Sequence, residues 1–377
     1  MKNRDGTLDL VRGVSALLVM LSHLRAFLFL DFVDLKGTGA ITKLFYFSTG
    51  LGHQAVMVFF VLSGYFVGGS VLSGLIKKRF TWHGYAIARL TRLWMVLIPA
   101  LLLTLGLDLL GSHWNPGAYA GDLHREFMSG PTFDHPASWS ATAFFGNVFF
   151  LQTITVPVFG SNGPLWSLAN EFWYYLLFPL GGCGLQAIVT NRRSFGVLLV
   201  SCAVFLALWL PRGLVTGGVI WLFGAGVWWV LKQARSGKPT GIHGARQWGL
   251  VIGGALFLGA LGASKTGHWL GCEYAIGVAF AFWMLFLTDR FQTTGWWSQL
   301  VTGLSEISYT LYVIHFPLLF FVAAVFLKGR QFHPDAAGCS LFAGLAAFIF
   351  IVSTGMWWLF ERNTEAARRW IIKRIGT

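Results

Sequence analysis

An arginine and a histidine, Arg12 and His23, stand eleven residues apart inside a largely apolar stretch near the N-terminus, DLVRGVSALLVMLSHLRAFLFL. Eleven residues is close to three helical turns, so on an α-helix both side chains share a face, roughly 16 Å apart along the axis. A central arginine in a membrane helix costs about 2.5–3.5 kcal/mol on translocon scales, and ionisable groups at such depth point to function by default. A neutral imidazole can take a proton from an alcohol and return it to a leaving thiolate. The plainer reading makes Arg12 an anchor for the cytoplasmic end of the segment and His23 a packing residue.

Arg89 and Arg92, in ARLTRLW, are three apart and fall on one helix face. Two guanidinia at that spacing suit a phosphate or diphosphate, although anchors snorkelling at a membrane boundary share the pattern. Segment 162–179, NGPLWSLANEFWYYLLFP, opens a helix with Asn162 as N-cap and Pro164 in the first turn. Its Ser167, Glu171, Tyr174 and Tyr175 share a face. A carboxylate there is expensive in lipid, so Glu171 must meet a cavity or a partner. It can orient His23 and stabilise its imidazolium, as the acidic member of a nucleophilic triad does, or pair with a membrane arginine. Ser63 and Gly64, in FFVLSGYF, permit close helix packing. SYTLYVIH at 308–315 sets Tyr309, Tyr312 and His315 on a slowly spiralling stripe, where the tyrosines suit packing or an aromatic belt. Glu361 ends the last apolar segment beside Arg362, with which a surface pair is possible. The cysteines, Cys183, Cys202, Cys272 and Cys339, stand singly without metal-ligand spacing and read as free, packed thiols.

These residues need elements to hold them. With 55% hydrophobic and 11% charged residues over 377 positions, the chain is not a soluble enzyme. Apolar runs of about 18 or more residues recur along it, which indicates an all-α polytopic membrane protein, and the alternation of a membrane β-barrel is absent. Ten membrane helices are expected, at 8–30, 51–72, 86–110, 164–188, 195–210, 213–232, 247–262, 269–288, 302–327 and 339–361. The first is interrupted by His23 and Arg25 and lacks a small-residue cleavage site, so it reads as an uncleaved helix. Basic clusters at Lys2/Arg4/Arg12, Lys77/Lys78/Arg79 with Arg89/Arg92, Arg192/Arg193, Lys232/Arg235/Lys238/Arg246, Arg290 and the tail Arg362/Arg368/Arg369/Lys373/Arg374 then fall on one side. That side holds 20 of the 28 Lys and Arg residues, so both termini are expected in the cytoplasm. The net charge of +13 follows from this distribution, with no basic module for nucleic acid. The chain, 1–377, reads as a single integral-membrane domain with 111–163 as its main extracytoplasmic loop or re-entrant region. Within it, ATAFFGNVFFLQTITVPVF at 141–159 is long enough to span, but carries Asn147, Gln152 and Pro157 and would reverse every later loop. It reads as interfacial or re-entrant.

Taken in order, several motifs resemble the membrane-bound acyltransferase 3 family nearly from end to end. They are LDLVRG with Arg12-x10-His23, FFVLSGY at 59–65, Arg89-x-x-Arg92, WSLxxExxYYxxFP at 166–179, ISYTLYVIHFPL at 307–318 and the helix-ending Glu361. After Glu361 the chain has Arg362 and Asn363, where the family often has a nearby proline. The resemblance implies a multi-pass O-acyltransferase of the cytoplasmic (inner) membrane. It would take an acyl group, commonly acetyl, from cytoplasmic acyl-CoA and deliver it to a carbohydrate hydroxyl, on a surface polysaccharide or a lipid-linked precursor. Carried over by position, His23 and Glu171 are catalytic, and Arg12, Arg89 and Arg92 handle the donor. Ser63, Gly64, Trp166, Ser167, Tyr174, Tyr175, Tyr309, Tyr312, His315 and Glu361 belong to the supporting motifs. The resemblance implies acetyl-CoA or another acyl-CoA as co-substrate and no permanently bound cofactor or metal. The expected partners are the carbohydrate acceptor, acyl-CoA and membrane lipids, without nucleic acid. A proton-coupled transporter or a flippase of a lipid-linked sugar would use the same intramembrane His, Glu and Arg, and predicts flux without consumption of acyl-CoA.

Overall fold

The computed structural model describes residues 5–124, 129–236, 242, 244–267, 271–288 and 295–375; Lys2, Arg4, Lys238 and Arg290 of the basic clusters lie outside them. Every regular element among the described residues is helical, as suits backbone that must satisfy its own hydrogen bonds in lipid. In chain order these are α1 (Gly6–Leu28), α2 (Ala40–Thr49), α3 (Gly52–Ile76), α4 (Trp82–Trp114), α5 (Pro116–Ala120), α6 (Ala141–Val148) and α7 (Leu165–Val189). There follow α8 (Arg193–Trp209), α9 (Arg212–Arg235), α10 (Arg246–Ala263), α11 (Cys272–Leu287), α12 (Trp296–Leu327), α13 (Ala336–Leu359) and α14 (Thr364–Ile375).

Each of the ten apolar segments falls on one of these helices. Seven of them are long and apolar enough to cross a membrane: α1, α3, α4, α7, α9, α12 and the stretch Ala336–Ile375 that contains α13. Helices α8 and α11 have 17 and 16 residues, or roughly 25 Å of helix against a hydrocarbon core of about 30 Å. Helix α10 has 18 residues and opens on the polar pair Arg246 and Gln247.

Segment 141–159 folds as the eight-residue α6 followed by turns. The polar residues that set it apart close those turns. Asn147 donates from Nδ2 to Pro157 O at 3.0 Å, and its Oδ1 accepts the Phe159 N–H at 3.1 Å. Gln152 Nε2 donates to Leu165 O at 2.9 Å. All four cysteines are free, but Cys202 and Cys339 are exposed, not packed. An apolar run does not distinguish the face of a helix that meets protein from the face that meets lipid.

The chain divides into two compact units, each assembled from separate stretches. The first takes Met1–Arg12, Gln54–Tyr85 and Asn170–Gln299. Its tightest contact joins α3 and α9. A Cβ on Gly64 would lie 1.8 Å from Trp221 O, and one on Gly224 would lie 1.8 Å from Val61 O. Only glycine allows backbones to approach so closely, the small-residue packing typical of membrane helices. Helix α3 widens there into a π turn, Gly64–Gly68. The fully buried Trp221 fills the adjoining space, with Phe178 at 5.0 Å between ring centroids.

The second unit takes Gly13–His53, Ala86–Ala169 and Leu300–Thr377, with α12 as its most buried rod. Phe27 of α1 packs on Phe316 and Phe320 of α12. Phe29, Phe45 and Phe342 form a second aromatic cluster beside Leu28 and Tyr46.

Prolines inside helices shape both units. Pro317 has no N–H, so Val313 O loses its partner one turn back. Asn162 replaces it, donating from Nδ2 to Val313 O at 2.9 Å. Asn162 therefore does not cap α7 as its position suggested: its carboxamide turns to α12 and to Thr104 Oγ1 of α4, at 3.3 Å. The same device recurs in the first unit. Pro179 leaves Tyr175 O without a helical donor, and the Tyr85 hydroxyl donates to it at 2.9 Å.

Candidate active site

In the second unit, α12 carries Tyr309, Tyr312 and His315 three residues apart, so each faces a slightly different neighbour. Tyr309 donates its hydroxyl to Leu93 O, beside Arg92 on α4, at 3.2 Å. The Tyr312 hydroxyl lies 2.5 Å from Ser167 Oγ at the start of α7, and both are within hydrogen-bond reach of Pro164 O. His315, fully buried, meets the catalytic candidate: its Nε2 lies 2.9 Å from His23 Nδ1. The two ring planes are inclined by 22°, with centroids at 5.1 Å. Phe316 closes over His23 edge-on, at 5.0 Å. His23 itself remains partly accessible. Among the described residues its Nε2 makes no hydrogen bond.

The same helix is fixed from the far end of the unit. Glu361, after α13, turns its Oε2 to Thr310, accepting from the hydroxyl at 2.6 Å and from the backbone N–H at 3.2 Å. Glu361 thus anchors α12 one residue from Tyr309, a role that its place beside Arg362 did not suggest. Trp166 stacks its ring towards His53 at 6.3 Å. Arg89 and Arg92 are half-buried on α4. Among the described residues Arg92 makes no hydrogen bond or ion pair.

The first unit holds the other motif residues in a directed chain. Trp221 Nε1–H can only donate, and reaches Ser63 Oγ at 3.1 Å. The Tyr175 hydroxyl donates to Glu171 Oε1 at 2.5 Å, so its oxygen accepts from Ser63 Oγ, 3.1 Å away. The run Trp221 to Ser63 to Tyr175 to Glu171 delivers donors onto a carboxylate. Ser63 is therefore more than a small residue at a helix contact. Gly64, its neighbour, supplies that contact. Tyr174 leaves the chain and donates to Leu214 O at 2.7 Å. Arg12 lies in this unit, half-buried on α1.

Asp108 was not singled out by spacing, yet it is fully buried on α4. It accepts from Ser161 N and Oγ, both at 2.7 Å, and from Trp139 Nε1 at 3.2 Å. A carboxylate in TLGLDLLG carries the same intramembrane signal as Glu171. It holds the turn that delivers Asn162 to α12. Among the described residues no three His, Cys, Asp or Glu side chains converge on a common point as metal ligands would.

The family described as an acyltransferase domain, acyltransferase 3, matches the chain over residues 5–362. No curated protein and no solved structure matches it.

Proposed function

Since the chain belongs to the acyltransferase 3 family, we propose that it moves an acyl group, acetyl first among candidates, from cytoplasmic acyl-CoA to a carbohydrate hydroxyl across the inner membrane. His23 is the general base. The proton of the acceptor hydroxyl passes to the imidazole as the oxygen attacks the thioester carbonyl. The C–S bond then breaks, and the departing thiolate takes that proton back. Arg12, Arg89 and Arg92 bind the phosphates of the donor, for which paired guanidinia are suited. Glu171, which accepts from the Tyr175 hydroxyl, is the acidic member of the active-site motif. All ten apolar helices cross the bilayer, with both termini in the cytoplasm and 111–163 facing outward.

The observation that carries this reading is the His23 ring: one nitrogen is held by His315, and the other is without a partner among the described residues, in a partly accessible position. The experiment is mass spectrometry of envelope carbohydrates from cells with and without the protein, alongside His23→Gln and Glu171→Gln. An acyl mass present with the wild type should be lost in His23→Gln, a drop of about 100-fold or more for removal of a general base. Glu171→Gln should fall in the same direction. Transfer that survives His23→Gln in a stably inserted protein overturns the assignment. No acyl difference at all, with the protein verified in the membrane, favours transport of a lipid-linked sugar, to be read as flux.

A further inference from the structure

Resting on His23 as the base, the geometry points to His315 as its positioning residue, which holds His23 in the tautomer that leaves Nε2 bare. Three atoms determine the direction of each bond. His315 Nδ1 lies 3.0 Å from Leu311 O. A carbonyl only accepts, so His315 Nδ1 bears a proton. His315 is fully buried, and among the described residues no carboxylate bonds to it. An imidazolium there would be an uncompensated buried charge, so the neutral ring keeps a lone pair on Nε2. That lone pair faces His23 Nδ1 at 2.9 Å, and His23 Nδ1 must supply the hydrogen. The remaining lone pair of the His23 ring is then on Nε2, the atom with no hydrogen bond among the described residues.

The consequence is a base oriented without an anion. In hydrolytic triads a carboxylate fixes the tautomer of the histidine. Here a second imidazole does so, anchored to a helix carbonyl. During transfer the hydroxyl proton forms a new bond to His23 Nε2 while the O–H bond breaks. His23 becomes an imidazolium, and its Nδ1–H bond to the neutral His315 becomes charge-assisted. The Nε2 proton leaves again with the thiolate. His315 keeps its own Nδ1 proton throughout and touches neither substrate.

The test reads the tautomer directly. Full-length protein with 15N-labelled histidine, in lipid bilayers, is compared with His23→Gln and His315→Gln to assign the two rings. Protonated and bare ring nitrogens are spectroscopically distinct. The wild type should show His23 protonated at Nδ1 and bare at Nε2, with His315 likewise. In His315→Leu, which offers no acceptor, the His23 signal should shift to a mixture containing Nε2–H. Acylation of envelope carbohydrate should then fall by about 100-fold or more, in line with loss of the correct tautomer elsewhere. His315→Gln places a carboxamide oxygen where Nε2 stood, and should retain transfer to within about tenfold of the wild type.

A wild-type spectrum with His23 protonated at Nε2 overturns the proposal, and needs no variant to fold. So does a His315→Leu protein with unchanged tautomer and transfer. The underlying reading fails separately: transfer surviving in His23→Gln removes the base assignment, whatever the tautomer spectrum shows.

Discussion

Pro317 removes one hydrogen from α12 and thereby gives a distant asparagine its task. The carbonyl of Val313 is left without a helical donor in a buried, apolar setting, where an unpaired acceptor costs roughly 1–3 kcal/mol. Asn162 fills it from 151 residues away in sequence. If this is why Asn162 is turned from the α7 cap, the two positions must be energetically coupled. Asn162→Ala alone should lower stability by about 1–3 kcal/mol. In a Pro317→Ala background, residue 317 regains its N–H and serves Val313 itself, so the same Asn162→Ala change should cost about 1 kcal/mol less. Unfolding of the four proteins of this cycle in detergent gives the coupling directly, and additivity would refute the account. At this scale the sequence was only partly readable. An in-helix proline does announce an orphan carbonyl four residues earlier, but not which side chain answers it. His23 and His315 were each marked as unusual, yet 292 residues separate them and no local pattern pairs them.

At the scale of elements, apolar run length was enough to place helices on every expected segment, because burial in lipid demands continuous hydrophobicity. Helix contacts were less readable, because composition shows that a glycine is present but not what it faces. Helix α9 provides a controlled comparison. Gly224 is pressed against Val61 O, whereas a Cβ on Gly226, two residues on, would meet nothing within 4 Å. Gly224→Ala should force α3 and α9 apart and destabilise by about 1–3 kcal/mol. Gly226→Ala, on the same helix with the same gain in propensity, should be neutral or stabilise by up to about 1 kcal/mol. Thermal unfolding of the two variants in one detergent separates them. Equal effects would mean that helix propensity, not the α3–α9 contact, governs both sites. On the proposed role of Glu171 the contact would also bear on chemistry, since Ser63 beside Gly64 accepts from Trp221 and passes the hydrogen-bond chain to Tyr175 and Glu171. Gly224→Ala should therefore lower transfer beyond its effect on the amount of folded protein.

At the scale of the whole molecule, the open quantity is how many helices cross, and one loop and one tail decide it. The N-terminus and the Arg192–Arg193 loop are separated by α1, α3, α4 and α7, all of them long and apolar enough to span. Four crossings return the chain to its starting side, so that loop shares the side of the N-terminus whichever count holds. From there to the C-terminus the two counts diverge. If only α9, α12 and the Ala336–Ile375 stretch cross, three crossings put the tail on the opposite face. If the shorter α8, α10 and α11 also cross, six crossings bring it back. Length and apolarity together argue for three, since the 16 or 17 residues of α11 and α8 fall short of the hydrocarbon core and α10 opens on Arg246 and Gln247. Charge argues for six. The tail carries Arg362, Arg368, Arg369, Lys373 and Arg374, and such clusters stay cytoplasmic. A mismatch of a few ångströms costs only fractions of a kcal/mol per ångström, through local thinning of the bilayer. Export of five basic residues works against the bias that sets topology, so the six-crossing arrangement should hold. A fluorescent reporter that matures only in the cytoplasm, fused after Thr377, should light up. A single cysteine introduced at Arg193 in a chain cleared of its native thiols should resist a membrane-impermeant maleimide in intact cells. A dark reporter with Arg193→Cys still protected would put the tail outside, and would remove α8, α10 and α11 from the set of crossings as a group or singly.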